Sequence, residues 1–215
     1  MKDYLSKLRK DYGRFSLFEE DVERDPVKQL EKWISEAANY GVTEPNAFVL
    51  STSDRSGRVS GRILLLRNLD ARGLIFYTNY ESLKARQIEE NSYGAATFFW
   101  ADVERQVRVE GQIRRIPSVE SLEYFKSRPR ESQLGAWASP QSQVIPNRQW
   151  LEEQVEKYRR QFEHQEVPKP PHWGGYCLSP VLFEFWQGRP NRLHDRIQYI
   201  LIMATGTWKI DRLAP

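Results

Sequence analysis

Between Asn46 and Thr78 apolar and polar residues alternate with period two, whereas at 25–41 and 82–91 the apolar positions recur every three or four residues. Asp25-Pro26 predicts a helix start, an N-cap followed by proline at the first helical position. Leu30, Trp33, Ile34, Ala37 and Ala38 form its apolar stripe, and Asn39-Tyr40-Gly41 ends it. Ala47–Thr52 and Val59–Arg67 read as strands joined by the turn Asp54-Arg55-Ser56-Gly57. Asp70-Ala71-Arg72-Gly73 leads into a third strand, Leu74–Thr78, so an antiparallel meander is expected. Ser82 caps a helix running to about Asn91, and two long strands follow, Tyr93–Trp100 and Gln106–Ile116. That is enough β structure for a small barrel. Pro117-Ser118 opens a helix with Val119, Leu122 and Phe125 inward, stopped at Arg128-Pro129. The Gly/Ser/Pro-rich segment 132–147 reads as a loop. Asn147 caps a helix with Leu151, Val155, Tyr158 and Phe162 at helical spacing. Beyond the Pro-rich connector 167–171, strands are expected near 174–186, 195–203 and 207–212. The charged residues 1–24, with a weak helical period at Tyr4, Leu5, Leu8 and Tyr12, read as an arm. Residues 25–215 read as a single domain, mainly β with flanking helices (α+β).

A chain of 215 residues can bury a proper core as one domain, and its 13% aromatic content argues against disorder. A net charge of +3 is too small to imply a nucleic-acid partner. The type of basic residue says more: 22 Arg stand against 10 Lys, a bias toward the side chain that grips phosphate and carboxylate bidentately. A single cysteine, Cys177, excludes an internal disulfide framework and any Cys-based metal site, and no metal is expected. Met1-Lys2-Asp3-Tyr4 has no apolar signal core and no run is long enough to span a bilayer, so a cytoplasmic protein without a membrane partner is expected. No HExxH, GxSxG, P-loop or GxGxxG pattern occurs, which removes the commonest hydrolase and dinucleotide readings.

Candidate chemistry gathers in five places. In Trp186-Gln187-Gly188-Arg189-Pro190-Asn191-Arg192-Leu193-His194-Asp195-Arg196 an extended backbone puts Arg192, His194 and Arg196 on one face. Two guanidiniums and an imidazole beside a Trp suit a flat anionic ligand; a solvated edge strand is an equal reading. Arg62 and Arg67, five apart on a strand, point to opposite faces roughly 16 Å apart and would serve two phosphates rather than one, unless both simply snorkel. Tyr77-Thr78-Asn79-Tyr80-Glu81-Ser82-Leu83-Lys84 carries a strand end into a helix N-terminus, a ready anion site to which Lys84 adds charge. Tyr124 and Arg128 lie four apart on one helix face with Ser132 just beyond, a cluster able to hold a second phosphate or to be a plain helix end. Gln106 shares a strand face with Arg108 and Glu110, Gln141-Ser142 lies in a polar loop, and His164 and His172 read as surface residues.

Together these pieces resemble the pyridoxine/pyridoxamine 5′-phosphate oxidase family over nearly the whole chain, from Arg9 to Pro215. The most specific are Arg192-Leu193-His194-Asp195-Arg196, Phe185-Trp186-Gln187-Gly188, Ser127-Arg128-Pro129-Arg130-Glu131-Ser132-Gln133 and Glu104-Arg105-Gln106-Val107. The resemblance implies an FMN-binding split β-barrel and a homodimer with FMN at the subunit interface. It implies FMN contacts from Arg62, Ile63, Leu64, Leu65, Leu66, Arg67, Tyr77, Thr78, Lys84, Gln106, Gln141, Ser142, Trp186 and Arg196. The substrate phosphate would fall to Arg67, Tyr124, Arg128 and Ser132. Arg192, Leu193 and His194 would meet the pyridine ring, Arg192 and His194 as the catalytic pair, with Arg9 and Tyr12 of the arm closing over it. The implied activity is oxidation of pyridoxamine or pyridoxine 5′-phosphate to pyridoxal 5′-phosphate, with O2 reoxidising the flavin to give hydrogen peroxide. Two departures stand out: Arg67 where the family commonly has Lys, and Leu83 where a basic residue often stands. A binding protein that keeps FMN or pyridoxal phosphate, and a flavin reductase of similar barrel type, are the rival readings.

Overall fold

Asp25 accepts the N–H of Val27 at 2.9 Å and so starts α1 (Pro26–Asn39) at the position its sequence marks. In this computed structural model, which describes Tyr4, Lys7, Leu8 and residues 11–215, that helix lays Leu30, Trp33 and Ala37 into the main core. Its Trp33 ring meets Phe185 edge-on at 5.2 Å. The strands are β1 (Ala47–Ser53), β2 (Val59–Leu65), β3 (Asn68–Asp70), β4 (Gly73–Asn79), β5 (Tyr93–Trp100), β6 (Arg105–Arg115), β7 (Trp173–Gln187), β8 (Asp195–Ile202) and β9 (Thr207–Arg212). The remaining helices are α2 (Leu83–Glu90), α3 (Ser118–Ser127), α4 (Arg130–Ala138) and α5 (Arg148–Gln161). Among the described residues no helix is long and apolar enough to cross a membrane.

All strand pairs are antiparallel and follow the order β2-β1-β5-β6-β7-β4-β3, with β8 on β7 and β9 on β8. The expected meander is formed in part: β1 pairs with β2, and the turn at 70–73 joins β4 to the short β3 that continues β2, not to β2 itself. β4 pairs along its other edge with β7 at the far end of the path, and its run Leu74-Ile75-Phe76 is buried on both faces, Leu74 and Phe76 in the main core and Ile75 against Ile116 and Cys177. The path's two ends are consecutive in the chain, and they meet: Leu66 donates its N–H to Asn46 O at 2.8 Å and Arg67 donates to Ile75 O at 2.9 Å. That closes the barrel.

β7 belongs to two pairings. Its first half, Trp173–Leu178, pairs with β4; its second half, Leu182–Gln187, pairs with β8. The change falls at Ser179-Pro180, where proline has no N–H for the ladder and the register with β6 shifts between Glu110 and Gly111. A Cβ on Gly111 would stand 2.0 Å from Ser179 O, so only glycine allows the two backbones to approach this closely.

The helical lobe corrects two expectations. In α3 the inward residues are Ser121 and Phe125; Val119 is 61% and Leu122 38% exposed, because the face toward β7 is narrower than the apolar spacing implied. Part of the expected loop 132–147 is helical, since Pro129 ends α3 and then starts α4. There Leu134 joins Phe125, Phe162, Val167 and Trp173 in a second core. Phe185, fully buried between Trp33, Phe183 and Tyr199, ties α1 to the sheet. Replacing it by alanine is expected to lower unfolding stability by about 3–5 kcal/mol in a urea titration.

Candidate active site

The first half of the site begins where β4 runs into α2. Ser82 ends the extended stretch, takes the N–H of Ala85, and opens the helix. Lys84, in its first turn, is drawn inward until it is 7% exposed. Its Nζ donates to Gln141 Oε1 (2.9 Å), Thr78 Oγ1 (3.1 Å) and Ser82 Oγ (3.3 Å). Arg62 approaches from β2, donating through Nη1 to Leu50 O (2.9 Å) and Thr52 Oγ1 (2.7 Å) and through Nη2 to Gln87 Oε1 (3.3 Å). Every one of these acceptors is neutral. Burial, and then the neighbouring Arg62 charge, lowers Lys84 to about 8, and burial also lowers Arg62. Two cations held together without a counterion make a site for an anion.

Beside them lies a cavity of about 500 Å³ whose floor is Ile63, Leu64, Leu65, Tyr77, Thr78 and Gln141. Its far wall is Tyr124, Arg128 and Ser132, facing Arg67 and Trp173. Tyr77 stacks on Tyr124 at 3.8 Å and on Trp173 at 5.4 Å, and the Arg128 guanidinium lies 4.7 Å over the Trp173 ring. One nitrogen of Arg128, Nη1, is buried without a hydrogen-bond partner. Burial lowers this arginine, Tyr124 partly opposes the shift, and Arg67 adds to it. Leu66 turns its side chain into the main core instead of the cavity, and Ser142 is exposed in the left-handed region at φ +69°.

The second half sits at the other end of β7. In register across three strands stand Gln106, Trp186 and Arg196, with Phe99 beyond Gln106 on β5. Arg196 donates to Glu184 Oε1 at 2.9 Å and to Ala214 O at 2.8 Å. The expected row of Arg192, His194 and Arg196 does not form. Pro190–Arg192 is a 3₁₀ turn with Asn191 and Arg192 at φ +56° and +63°, and β8 begins only at Asp195. Arg192 and His194 instead line a cavity of about 580 Å³ with Leu8, Asp11, Tyr12 and Arg189, while Leu193 is exposed. His194 lies 4.6 Å from the Trp186 ring, and Tyr12 meets both rings edge-on at 5.7 and 5.8 Å. Arg9 lies outside the described residues. No residue lines both cavities.

Sequence reasoning missed Trp173, Asn79 and Ser139 in the first cavity. Asn79 and Trp173 are register partners 94 positions apart, a pairing that no local pattern announces. It also missed Glu104 and Gly188, which hold Tyr12 in place as described below.

A closed barrel with two cationic sites, each short of an anion, defines a protein built for phosphorylated ligands. Residues 34–162 match the family model described as pyridoxamine 5′-phosphate oxidase, and residues 173–215 match the pyridoxine 5′-phosphate oxidase C-terminal dimerisation region. Pyridoxine/pyridoxamine 5′-phosphate oxidase of Crocosphaera subtropica is 50% identical over 98% of this chain and 99% of its own. The protein of the same name from Salinibacter ruber is 48% identical over the same shares. Among solved structures, PhzG from Burkholderia lata, in complex with tetrahydrophenazine-1-carboxylic acid, superposes with a TM-score of 0.88 at 28% identity, covering 95% of this chain and all of that one. A pyridoxamine 5′-phosphate oxidase-related, FMN binding protein from Nostoc punctiforme shares the fold with a TM-score of 0.68 at 18% identity, over 85% of this chain and 95% of that one. The chain belongs to the pyridoxine/pyridoxamine 5′-phosphate oxidase family, oxidoreductases whose cofactor is FMN.

The backbone N–H of Arg189 donates to His194 Nδ1 at 3.1 Å, so the neutral ring carries its proton on Nε2. Burial and Arg192 lower its pKa, with Asp195 opposing. An NMR titration is therefore expected to place the His194 midpoint below about 6.5, the ordinary imidazole value, with the Nε2–H tautomer above it. A midpoint above that value would contradict this geometry.

Proposed function

We propose that the protein is a cytoplasmic homodimer that oxidises pyridoxamine and pyridoxine 5′-phosphates to pyridoxal 5′-phosphate, with FMN held between the subunits and O2 as electron acceptor. The observation that carries this reading is a pair of distinct cationic sites: Arg128 and Arg67 in the wall of the first cavity, and Lys84 with Arg62 behind it, Lys84 bonded to the lining residues Thr78 and Gln141. A flavin nucleotide and a vitamer ester bring one phosphate each. The residues present fit FMN, because the buried Lys84 and Arg62 have only neutral partners; with Leu83 in place of a third basic residue, these two carry the phosphate charge.

In this reading Arg62 and Lys84 hold the flavin phosphate, and Tyr77, Thr78, Gln141, Ser142 and the Ile63–Leu66 backbone hold the rest of the nucleotide. Arg128, with Arg67, Tyr124 and Ser132, takes the substrate phosphate onto its unpartnered Nη1. Trp173 and Trp186 mark opposite ends of β7, separated by roughly 40 Å of strand. One chain therefore does not bring Arg192, His194, Trp186, Gln106 and Arg196 to its own first cavity. A two-fold partner does, since each subunit then offers the half that the other lacks. Arg192 and Leu193 then cover the pyridine ring, neutral His194 donates from Nε2, and the arm with Arg9 and Tyr12 excludes water. Bound FMN supplies the two-electron acceptor for hydride from C4′ and returns both electrons to O2 as hydrogen peroxide.

The test is to purify the protein, confirm a flavin spectrum, add pyridoxamine 5′-phosphate in air, and follow aldehyde and peroxide. Equal yields of both are expected; a yellow protein that makes neither would be an FMN-binding protein only. Arg192→Leu is expected to lose most turnover while keeping FMN, and wild-type turnover would remove Arg192 from the site. Since phosphate favours protonated Lys84, FMN affinity is expected to fall as pH rises past about 8. Fluorescence titration of the apoprotein measures this, and Lys84→Met should flatten the dependence.

A further inference from the structure

Glu104 closes the turn between β5 and β6 at φ +55°, a conformation that turns its side chain back under the arm. The residue is 2% exposed. Its backbone is locked to the end of β7, since Gly188 donates its N–H to Glu104 O at 2.8 Å and Gln187 Nε2 donates to the same oxygen at 3.1 Å. Its carboxylate is turned to the arm: Oε2 accepts the N–H of Gly13 at 2.8 Å and that of Arg14 at 3.1 Å. The Arg14 side chain adds a third tie, donating through Nη1 to Asp102 O at 2.8 Å. Opposite the carboxylate, a Cβ on Gly188 would stand 2.7 Å from Tyr12 Cγ and 2.8 Å from its Cβ. The space that glycine leaves is the space the tyrosine fills.

We propose that Glu104 and Gly188 are positioning residues for the arm: the buried carboxylate clamps two successive backbone N–H groups, and the missing side chain at 188 seats Tyr12 against Trp186 and His194. Neither residue touches the second cavity's ligand space; both act through Tyr12. A buried carboxylate is an effective clamp because each N–H bond to a charged acceptor is stronger than one to a neutral acceptor. Two adjacent N–H groups on one oxygen also fix the direction of the chain. The inference rests on the proposed assignment of Tyr12 and His194 to the substrate side of the site.

The experiment compares Glu104→Ala, Glu104→Gln and Gly188→Ala with the wild-type holoenzyme, each first shown to retain its FMN spectrum. Limited trypsin cleavage after Arg14 reports the clamp without reference to activity, and KM and kcat for pyridoxine 5′-phosphate report its consequence. For Glu104→Ala, faster cleavage is expected together with a KM raised roughly tenfold and a smaller change in kcat. Glu104→Gln, which keeps an acceptor oxygen, should recover most of both. In Gly188→Ala the new Cβ displaces Tyr12 and also presses on Glu104 Cβ at 3.1 Å, so KM should rise as it does in Glu104→Ala. Unchanged cleavage in Glu104→Ala overturns the clamp. Unchanged KM in both alanine variants overturns the positioning role, whatever the cleavage rates. If the wild type turns over no vitamer, the oxidase assignment fails, and the cleavage arm still decides whether Glu104 holds the arm.

Discussion

One strand serving two partners along a single edge is the constraint on which the rest of the molecule depends. β7 pairs with β6 from Tyr176 to Gln187, but its opposite edge is given first to β4 and then to β8. Pro180, unable to donate to a ladder, and Gly111, which alone admits the Ser179 carbonyl, set the place of the change. Upstream of it the sheet curls back to close a barrel; downstream it continues as an open flap of β8 and β9. Trp173 at one end of this strand lines the first cavity, and Trp186 at the other packs against Tyr12 and His194, which line the second. Residues 173–215, which match a dimerisation region, contain all of β7, and the proposed site that draws on both of its ends takes one half from each of two chains.

The electrostatics follow from that layout. A buried lysine without a carboxylate is destabilising in isolation, and the fold tolerates Lys84 by surrounding it with neutral oxygens of Thr78, Ser82 and Gln141. The same holds for Arg128, stacked over Trp173 with one nitrogen left without a partner. Several other arginines are paired with carboxylates. Arg212 joins Glu19 and Asp195, Arg105 joins Glu36, and Arg196 and Arg108 share Glu184. These pairs contrast with Lys84 and Arg62, whose acceptors are all neutral, and with the unpartnered nitrogen of Arg128.

Paired charges also fasten the arm. Asp195 accepts the Leu17 N–H at 3.0 Å and binds Arg189 and Arg212, so the segment that carries Tyr12 is held from the β8 side as well as by Glu104. The loop that presents Arg192 and His194 is fixed by the same carboxylate. Arm and loop are thereby set in one frame, which is how a segment with little core of its own comes to present a defined tyrosine.

Much of this was legible in the sequence, because it depends on near neighbours. The caps at Asp25, Ser82 and Asn147, the helix break at Pro129, the strand limits of β5 and β6, and the grouping of Tyr124 with Arg128 all follow from spacing and backbone chemistry within a few residues. The motifs also identified the family before any geometry was known. The tertiary structure alone decided what depends on distant partners. It set β4 between β3 and β7, a strand about a hundred positions away, and it made Arg192 part of a turn rather than a row. It buried Lys84 beside Arg62 and placed Glu104 beneath Gly13, pairs whose members stand 22 and 91 positions apart in the chain. Alternation and capping report what a residue does to its own backbone, whereas a site is made where backbones distant in the chain come to lie side by side.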